Sequence, residues 1–257
     1  VWVEFNDAAG RPVSFLIKEK HRKPRRRYDM LAPLGNGIVT PKFLPFFYMY
    51  EFDFMGRSTT ELEVKIDGAI CRPKSIPFPV HGAFVYEGRY SLEPCIGVWN
   101  RTHEGPLTPL KPKAAGDFQV DRTDYQLVDN DGHYEIARIG TSDGRHKLGV
   151  AFTPPVPDVE ALKDRAAVDG VFTAEREGGP PCFSGKYTVR RRGNQVEIVL
   201  DNTEGWRPRR PTLSFRLVFL FMRFFRTWPA TYKWTATVDL SGNGPPAMRS
   251  GWTRKLP

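Results

Sequence analysis

The sequence predicts a mostly β protein, an antiparallel β-sandwich or open barrel. Three observations carry this. Short segments alternate apolar and polar residues at period two. Asp-Gly and Gly-Asn pairs sit between such segments, where tight hairpins need positive φ. The 257 residues hold 23 prolines and 23 glycines, a spacing that long helices do not survive. A chain of this length buries roughly 70–75% of its unfolded surface, so a single β domain over 1–257 needs no disulfide scaffold. The Pro-rich segment 153–158 offers a joint between an N-terminal β part, 1–152, and a C-terminal one, 159–257.

The elements follow in order. Val1–Phe5 alternates, turns through 6–10 and returns over Pro12–Ile17 as a hairpin. Phe43–Phe54 is an apolar strand. In the segment 59–66, Leu62, Val64 and Ile66 oppose Glu61, Glu63 and Lys65, and Asp67-Gly68 turns the chain. Short strands are expected at 83–86 and 95–99, and 100–116 reads as a long loop. A three-strand meander spans 124–152, with turns at Asp131-Gly132 and Asp143-Gly144. One short helix is expected near 159–168, with Asp158 as N-cap and Gly170 beyond its end. Lys186–Arg191 and Val196–Leu200 pair around Gly193-Asn194. Thr212–Phe225 and Tyr232–Leu240 complete the strands, and the tail adds an edge strand through Trp252.

Two of these strands do not alternate. Leu217–Met222 is apolar on both faces, and so is most of Phe43–Phe52. Each large side chain left in water would forgo about 1.5–3 kcal/mol. Phe46, Phe47, Tyr48, Tyr50, Phe219, Phe221, Phe224, Trp228 and Trp234 are therefore expected at an interface or a cavity. Homo- or hetero-oligomerisation is one way to cover them.

Charge is the second theme. Lys and Arg total 38 against 29 Asp and Glu, a net +9. Much of the excess is local. Lys18–Arg27 holds seven Lys or Arg in ten residues, and such a block belongs in solvent or against a polyanion. The expected polyanion contacts are Lys18, Lys20, Arg22, Lys23, Arg25, Arg26 and Arg27. A hairpin tip adds Arg190, Arg191 and Arg192, and a Trp-flanked cluster adds Arg207, Arg209 and Arg210. Clustered charge steers and binds a nucleic acid or an acidic protein surface. Trp2, Trp99, Trp206, Trp228, Trp234 and Trp252 either stack on a ligand or fill a core.

Familiar catalytic patterns are missing. The chain has no P-loop, no G-x-G-x-x-G and no G-x-S-x-G. Its histidines lack metal-ligand spacing, and Cys71, Cys95 and Cys182 form no C-x-x-C. No metal and no cofactor is expected. A Cys71–Cys95 disulfide is one alternative; buried free thiols in a reducing compartment are the other. No run of about 18 apolar residues marks a transmembrane helix, and a first residue of Val fits processing from a precursor.

Two functions suit this pattern. The first is a non-enzymatic structural or interaction subunit of a larger assembly, coat-like and jelly-roll-like or part of an organellar or phage complex, with basic loops facing a polyanionic or acidic partner. The alternative is a lipocalin-like barrel that binds an apolar small molecule or acts on it as an isomerase, cyclase or hydratase. In that reading His81 and Glu87 are the first catalytic candidates.

Overall fold

Period-two alternation is realised as antiparallel strand pairing along most of the chain. The computed structural model describes residues 1–19, 28–32, 38–54, 60–71, 89–90, 93–176, 178–208, 213, 216, 220–221 and 223–255. In chain order the strands are β1 (Trp2–Asn6), β2 (Pro12–Glu19), β3 (Tyr28–Ala32), β4 (Phe43–Phe54), β5 (Thr60–Ile66), β6 (Ala69–Ile70), β7 (Arg89–Tyr90), β8 (Glu93–Arg101) and β9 (His103–Pro106). They continue as β10 (Gly116–Val120), β11 (Thr123–Asn130), β12 (His133–Ser142), β13 (Lys147–Val156), β14 (Ala167–Arg176), β15 (Phe183–Arg192), β16 (Gln195–Asn202), β17 (Tyr232–Asp239) and β18 (Ala247–Arg254).

The chain divides into two compact units. Unit 1 comprises Val1–Tyr28 and Tyr50–Glu93. Its sheet has the order β1-β2-β5-β6. Asp7 shapes the first hairpin: its Oδ1 accepts the amides of Ala9 and Arg11, both at 2.9 Å. The Arg11 guanidinium donates to the other carboxylate oxygen at 2.8 Å. These bonds, the Arg11 amide first, hold the Asp7 carboxyl below the usual range. At the β5–β6 turn Asp67 and Gly68 have φ of 52° and 76°, as a two-residue hairpin with the strands' own twist requires.

Unit 2 comprises Asp29–Met49 and Pro94–Pro257. It is built on a ten-stranded sheet, β10-β11-β12-β13-β14-β15-β16-β17-β18-β9, which is open rather than closed into a barrel. One face of this sheet is aromatic. Register brings Tyr187, Leu200, Trp234 and Trp252 into one cross-strand row. Phe152 stands opposite Phe172 and Ala174 opposite Phe183. All eight of these side chains are buried. Two of them lie over glycines. A Cβ on Gly185 would run into the Phe172 ring, and one on Gly170 into the Tyr187 ring. Bare backbone at these positions lets each ring pack closely on the neighbouring strand. β8 crosses this face. Cys95, Gly97 and Trp99 point inward and are buried, whereas Ile96 and Val98 are exposed. Trp99 sits 5.3 Å from Phe172, 5.3 Å from Phe183 and 5.5 Å from Trp252, centroid to centroid. This is sandwich-type packing, with β8 as the second layer.

Several sequence expectations hold. The hairpin β1–β2, the apolar strand β4, the meander β11–β13, the pair β15–β16 and strand β17 all form. In β4 both faces are at least partly covered: Leu44, Tyr48 and Tyr50 are buried, and Pro45, Phe47 and Met49 half-buried. The expected joint at 153–158 lies inside unit 2, where β13 runs to Val156 and pairs with β14.

Four expectations are corrected. No helix forms at 159–168. Asp158 does cap the Glu160 amide at 3.0 Å and starts one turn, with the Leu162 amide on the Asp158 carbonyl at 3.1 Å. The turn ends at Arg165, φ 63°, because Arg165 and Ala166 exchange backbone bonds with Arg191 and lead into β14. Sheet pairing outcompetes a weakly amphipathic helix.

The opposite correction applies to Thr212–Phe225, expected as a strand. Its described residues are helical: Leu213, Arg216, Leu220, Phe221 and the helix Phe224–Thr227, followed by a 3-10 turn at Trp228–Thr231. The clue lies in the arginines. Arg216 and Arg223 are seven apart, which puts them on opposite faces of a strand but on one side of a helix. Third, the tail is no edge: β18 is paired by β17 and by β9, a strand within the expected 100–116 loop. Fourth, Cys71, Cys95 and Cys182 are all free, so the disulfide alternative falls.

Candidate functional site

Small residues facing inward leave space in a sandwich. Gly97 lies between Cys95 and Trp99 on β8, and Ala174 lies between Val150 and Phe183 in the sheet. A cavity of about 560 Å³ occupies this region, entirely within unit 2. Its floor is the sheet: Leu148, Val150 and Phe152 of β13, Ala174 of β14 and Leu200 of β16. Its roof is Gly97 and Trp99 of β8 with Tyr48 of β4 and Leu31 of β3. Most of these side chains are buried and apolar, the lining that small-molecule sites have.

Polar groups, Asn100 among them, share the lining with the apolar ones. Tyr125 of β11 contributes a phenol that burial holds above its ordinary range. Thr123 and Thr141 add hydroxyl-bearing side chains. Arg101, Arg122 and Glu175 also line the space. Arg101 and Arg122 are exposed parts of this lining, and the half-buried Glu175 accepts the Arg138 guanidinium at 3.0 Å. An apolar floor with exposed arginines on the lining suits an apolar body with an acidic or polar head.

Cys182 also lines the cavity, and Cys95 lies beside the Gly97 position. Burial, with the Asp143 carboxylate adding to it, pushes the Cys95 thiol up to about 11. A protonated thiol is a small packing group and no nucleophile. Among the described residues no group of three or more His, Cys, Asp and Glu side chains could hold a metal.

The expected polyanion contacts divide. Lys18 is exposed at the end of β2; Lys20, Arg22, Lys23, Arg25, Arg26 and Arg27 lie outside the described residues. At the β15–β16 hairpin, Arg190 and Arg192 are exposed, and Arg165 stands beside them at an open recess. Arg191 is different. Its Nη1 donates to the carbonyls of Glu160 at 3.1 Å and Leu162 at 2.6 Å, and its Nε to Gly193 at 3.0 Å. It staples the 158–166 turn and is half-buried. Asp164 tightens the same corner through the Gly193 amide at 2.6 Å. Arg207 bonds Glu204, which also accepts the Ser184 hydroxyl. Arg209 and Arg210 lie outside the described residues.

The expected interface or cavity residues also divide. Tyr48 lines the cavity. Tyr50, Trp228 and Trp234 are buried, and Phe47 is half-buried. Phe221 and Phe224 are exposed on the helical segment. Phe46 lies in β4, and Phe219 lies outside the described residues, as do His81 and Glu87. Trp99, Trp206 and Trp252 are buried with Trp228 and Trp234, whereas Trp2 is exposed. Sequence reasoning missed Leu148, Val150, Phe152 and Ala174 as a lining. Their period-two spacing marked a buried face but could not say what lay across it.

Comparison with family models, with curated proteins and with solved structures finds no match for this chain.

Proposed function

We propose that this protein is a non-enzymatic binding protein for an apolar small molecule with an acidic or polar head. The observation that carries the reading is the cavity of about 560 Å³ between β8 and the aromatic face of the ten-stranded sheet. Its size falls within the roughly 300–1,000 Å³ typical of ligand pockets. Its floor supplies apolar burial, and the exposed lining residues Arg101 and Arg122 can supply charge-assisted hydrogen bonds to a head group.

The test is titration with a fluorescent fatty acid and with its methyl ester. Wild-type protein binds the acid saturably and the ester more weakly. Ala174→Trp fills the cavity from its floor and abolishes both, with the far-ultraviolet spectrum unchanged. Saturable binding that survives a folded Ala174→Trp protein, or no binding of either probe, overturns the reading.

A second reading rests on one observation of its own: Arg165, Arg190 and Arg192 line one open recess with Asp164, an excess of positive charge even with Asp164 and Asp169 beside Arg165 and Arg190. It is the interaction subunit whose basic loops meet a polyanionic or acidic partner. Salt-dependent heparin retention that falls in Arg190→Ala/Arg192→Ala supports it, and unchanged retention removes it.

A further inference from the structure

We infer that Thr123, Thr141 and Tyr125 form the subsite that seats the head of the cavity's ligand, and that the ligand is a monocarboxylic acid whose apolar body lies toward Phe152. The inference rests on the cavity reading above and adds to it the place and chemistry of the head group.

Strand register brings the three residues together. Thr123 of β11 stands opposite Thr141 of β12, Thr141 opposite Leu148 of β13, and Leu148 opposite Arg176 of β14. Two residues along each strand, the next row is Tyr125, Ile139, Val150 and Ala174. Leu148, Val150 and Ala174 are buried on the inner face of the sheet. Their partners Thr123, Thr141 and Tyr125 share that face, and all three line the cavity. A third row sets Phe152 opposite Phe172. Polarity therefore rises in steps along the floor, from rings through a mixed row to paired threonines.

The three hydroxyls are available to a ligand. Each residue is half-buried, and among the described residues no other group bonds the hydroxyl of Thr123, Thr141 or Tyr125. Burial holds the Tyr125 phenol above its ordinary range, so it keeps its proton and donates. Partly buried hydroxyls call for a partner. Directly paired residues stand about 5 Å apart and residues i and i+2 about 7 Å. The two oxygens of a carboxylate offer about four acceptor positions to donors at such spacing.

Charge selects an anionic head. Neither threonine row nor tyrosine row contains Asp or Glu. Glu175 stands opposite Gly149, so its side chain belongs to the other face, where Arg138 binds it. The buried Arg176 ends the threonine row, and the exposed Arg101 and Arg122 add positive charge from the lining. A carboxylate meets hydroxyl donors in a positive field. A cationic head would meet the same field as repulsion.

The experiment titrates variants with the fluorescent fatty acid and its methyl ester. Thr123→Val/Thr141→Val and Tyr125→Phe should each weaken binding of the acid by about tenfold, the value of a hydrogen bond to a charged group. Both should change ester binding by no more than about twofold, because shape and apolar area are kept. Thr123→Ser/Thr141→Ser, which returns the hydroxyls, should restore the preference for the acid. An acid preference that persists in both folded hydroxyl-free variants overturns the inference, as does a serine variant that loses the acid like the valine one. With Ala174→Trp still abolishing binding, either result leaves the cavity reading standing. No binding of either probe to wild-type protein overturns both.

Discussion

Trp99 meets Phe172 edge-on, at 82° and 5.3 Å between ring centroids, and this contact joins β8 to the ten-stranded sheet. The same ring touches Phe183 and Trp252, so one side chain reaches β14, β15 and β18. The Trp252 indole returns the contact by donating to the Asn100 carbonyl at 2.8 Å. Position 99 therefore forms a wall of the cavity and closes the core around it.

Trp99→Ala removes all three ring contacts and enlarges an existing cavity. The expected loss is about 3–5 kcal/mol, as for other buried aromatic truncations. Urea unfolding followed by circular dichroism checks it. Trp99→Phe keeps an aromatic edge and is expected to lose clearly less. Equal losses for the two variants would mean that Trp99 contributes size alone.

Gly170 is expected to tolerate no side chain. A Cβ there would fall 2.7 Å from the Thr153 carbonyl oxygen and run into the Tyr187 ring. One obstacle is backbone and the ring is pinned, since the Tyr187 hydroxyl donates to the Pro154 carbonyl at 2.5 Å. Neither yields cheaply, so Gly170→Ala should cost about 1–3 kcal/mol by overpacking. Gly132→Ala serves as contrast. Its φ of 85° strains a side chain, but nothing lies within 4 Å of the new Cβ. The melting temperatures of the two variants, and of Gly170→Ala combined with Tyr187→Leu, separate crowding from backbone strain. Crowding by the ring is relieved in the double variant, and crowding by the Thr153 carbonyl is not.

Legibility in the sequence followed the range of the information needed. Val196, Ile198 and Leu200 declare a strand by themselves, and Gly193-Asn194 declares its turn, so β15–β16 could be read locally. Leu213–Phe225 could not be read the same way. A continuous apolar run satisfies a strand and a helix equally, and the seven-residue spacing of Arg216 and Arg223 was the only local discriminator. At 159–168 the local signals favoured a helix, and the distant partner Arg191 decided otherwise. The cavity was the least legible feature. It exists because Gly97 comes to face the sheet near Ala174, and no window of sequence contains both.

Alkaline pH should destabilise the fold. Burial, with Glu135 and Asp169 adding to it, pushes the Tyr187 phenol up to about 12 from an ordinary value of 10.0. The Cys95 thiol rises from 9.0 to about 11. Both groups are neutral when protonated, so the fold favours the proton and the unfolded chain releases it first. Their stabilising contribution is complete below the unfolded values. It is lost as pH rises from 9 to about 11 for Cys95 and from 10 to about 12 for Tyr187. The urea midpoint is expected to fall between about pH 8 and about pH 10.5. Tyr187→Phe should start lower at neutral pH, by about 1 kcal/mol for the lost hydrogen bond, and fall less steeply. A midpoint that stays constant in wild type contradicts the assignment.

Neighbouring arginines at the β15–β16 tip should behave in opposite ways. Arg191 spends its guanidinium on the carbonyls of Glu160, Leu162 and Gly193, while its own amide and carbonyl pair with Ala166 and Arg165. Arg191→Ala leaves the turn carbonyls without their donor and should cost about 1.5–3 kcal/mol. Protease cleavage within 158–166 reports the loosened turn directly. Arg192 is exposed beside it and makes no such contact with the turn, so Arg192→Ala should leave the unfolding midpoint unchanged within about 0.5 kcal/mol. Its effect belongs instead to salt-dependent retention on an anionic matrix, where Arg191→Ala, if folded, should matter less. The reverse pattern, with Arg192 setting stability and Arg191 setting retention, would show that the 158–166 turn is held by other bonds and that Arg191 is available to a partner.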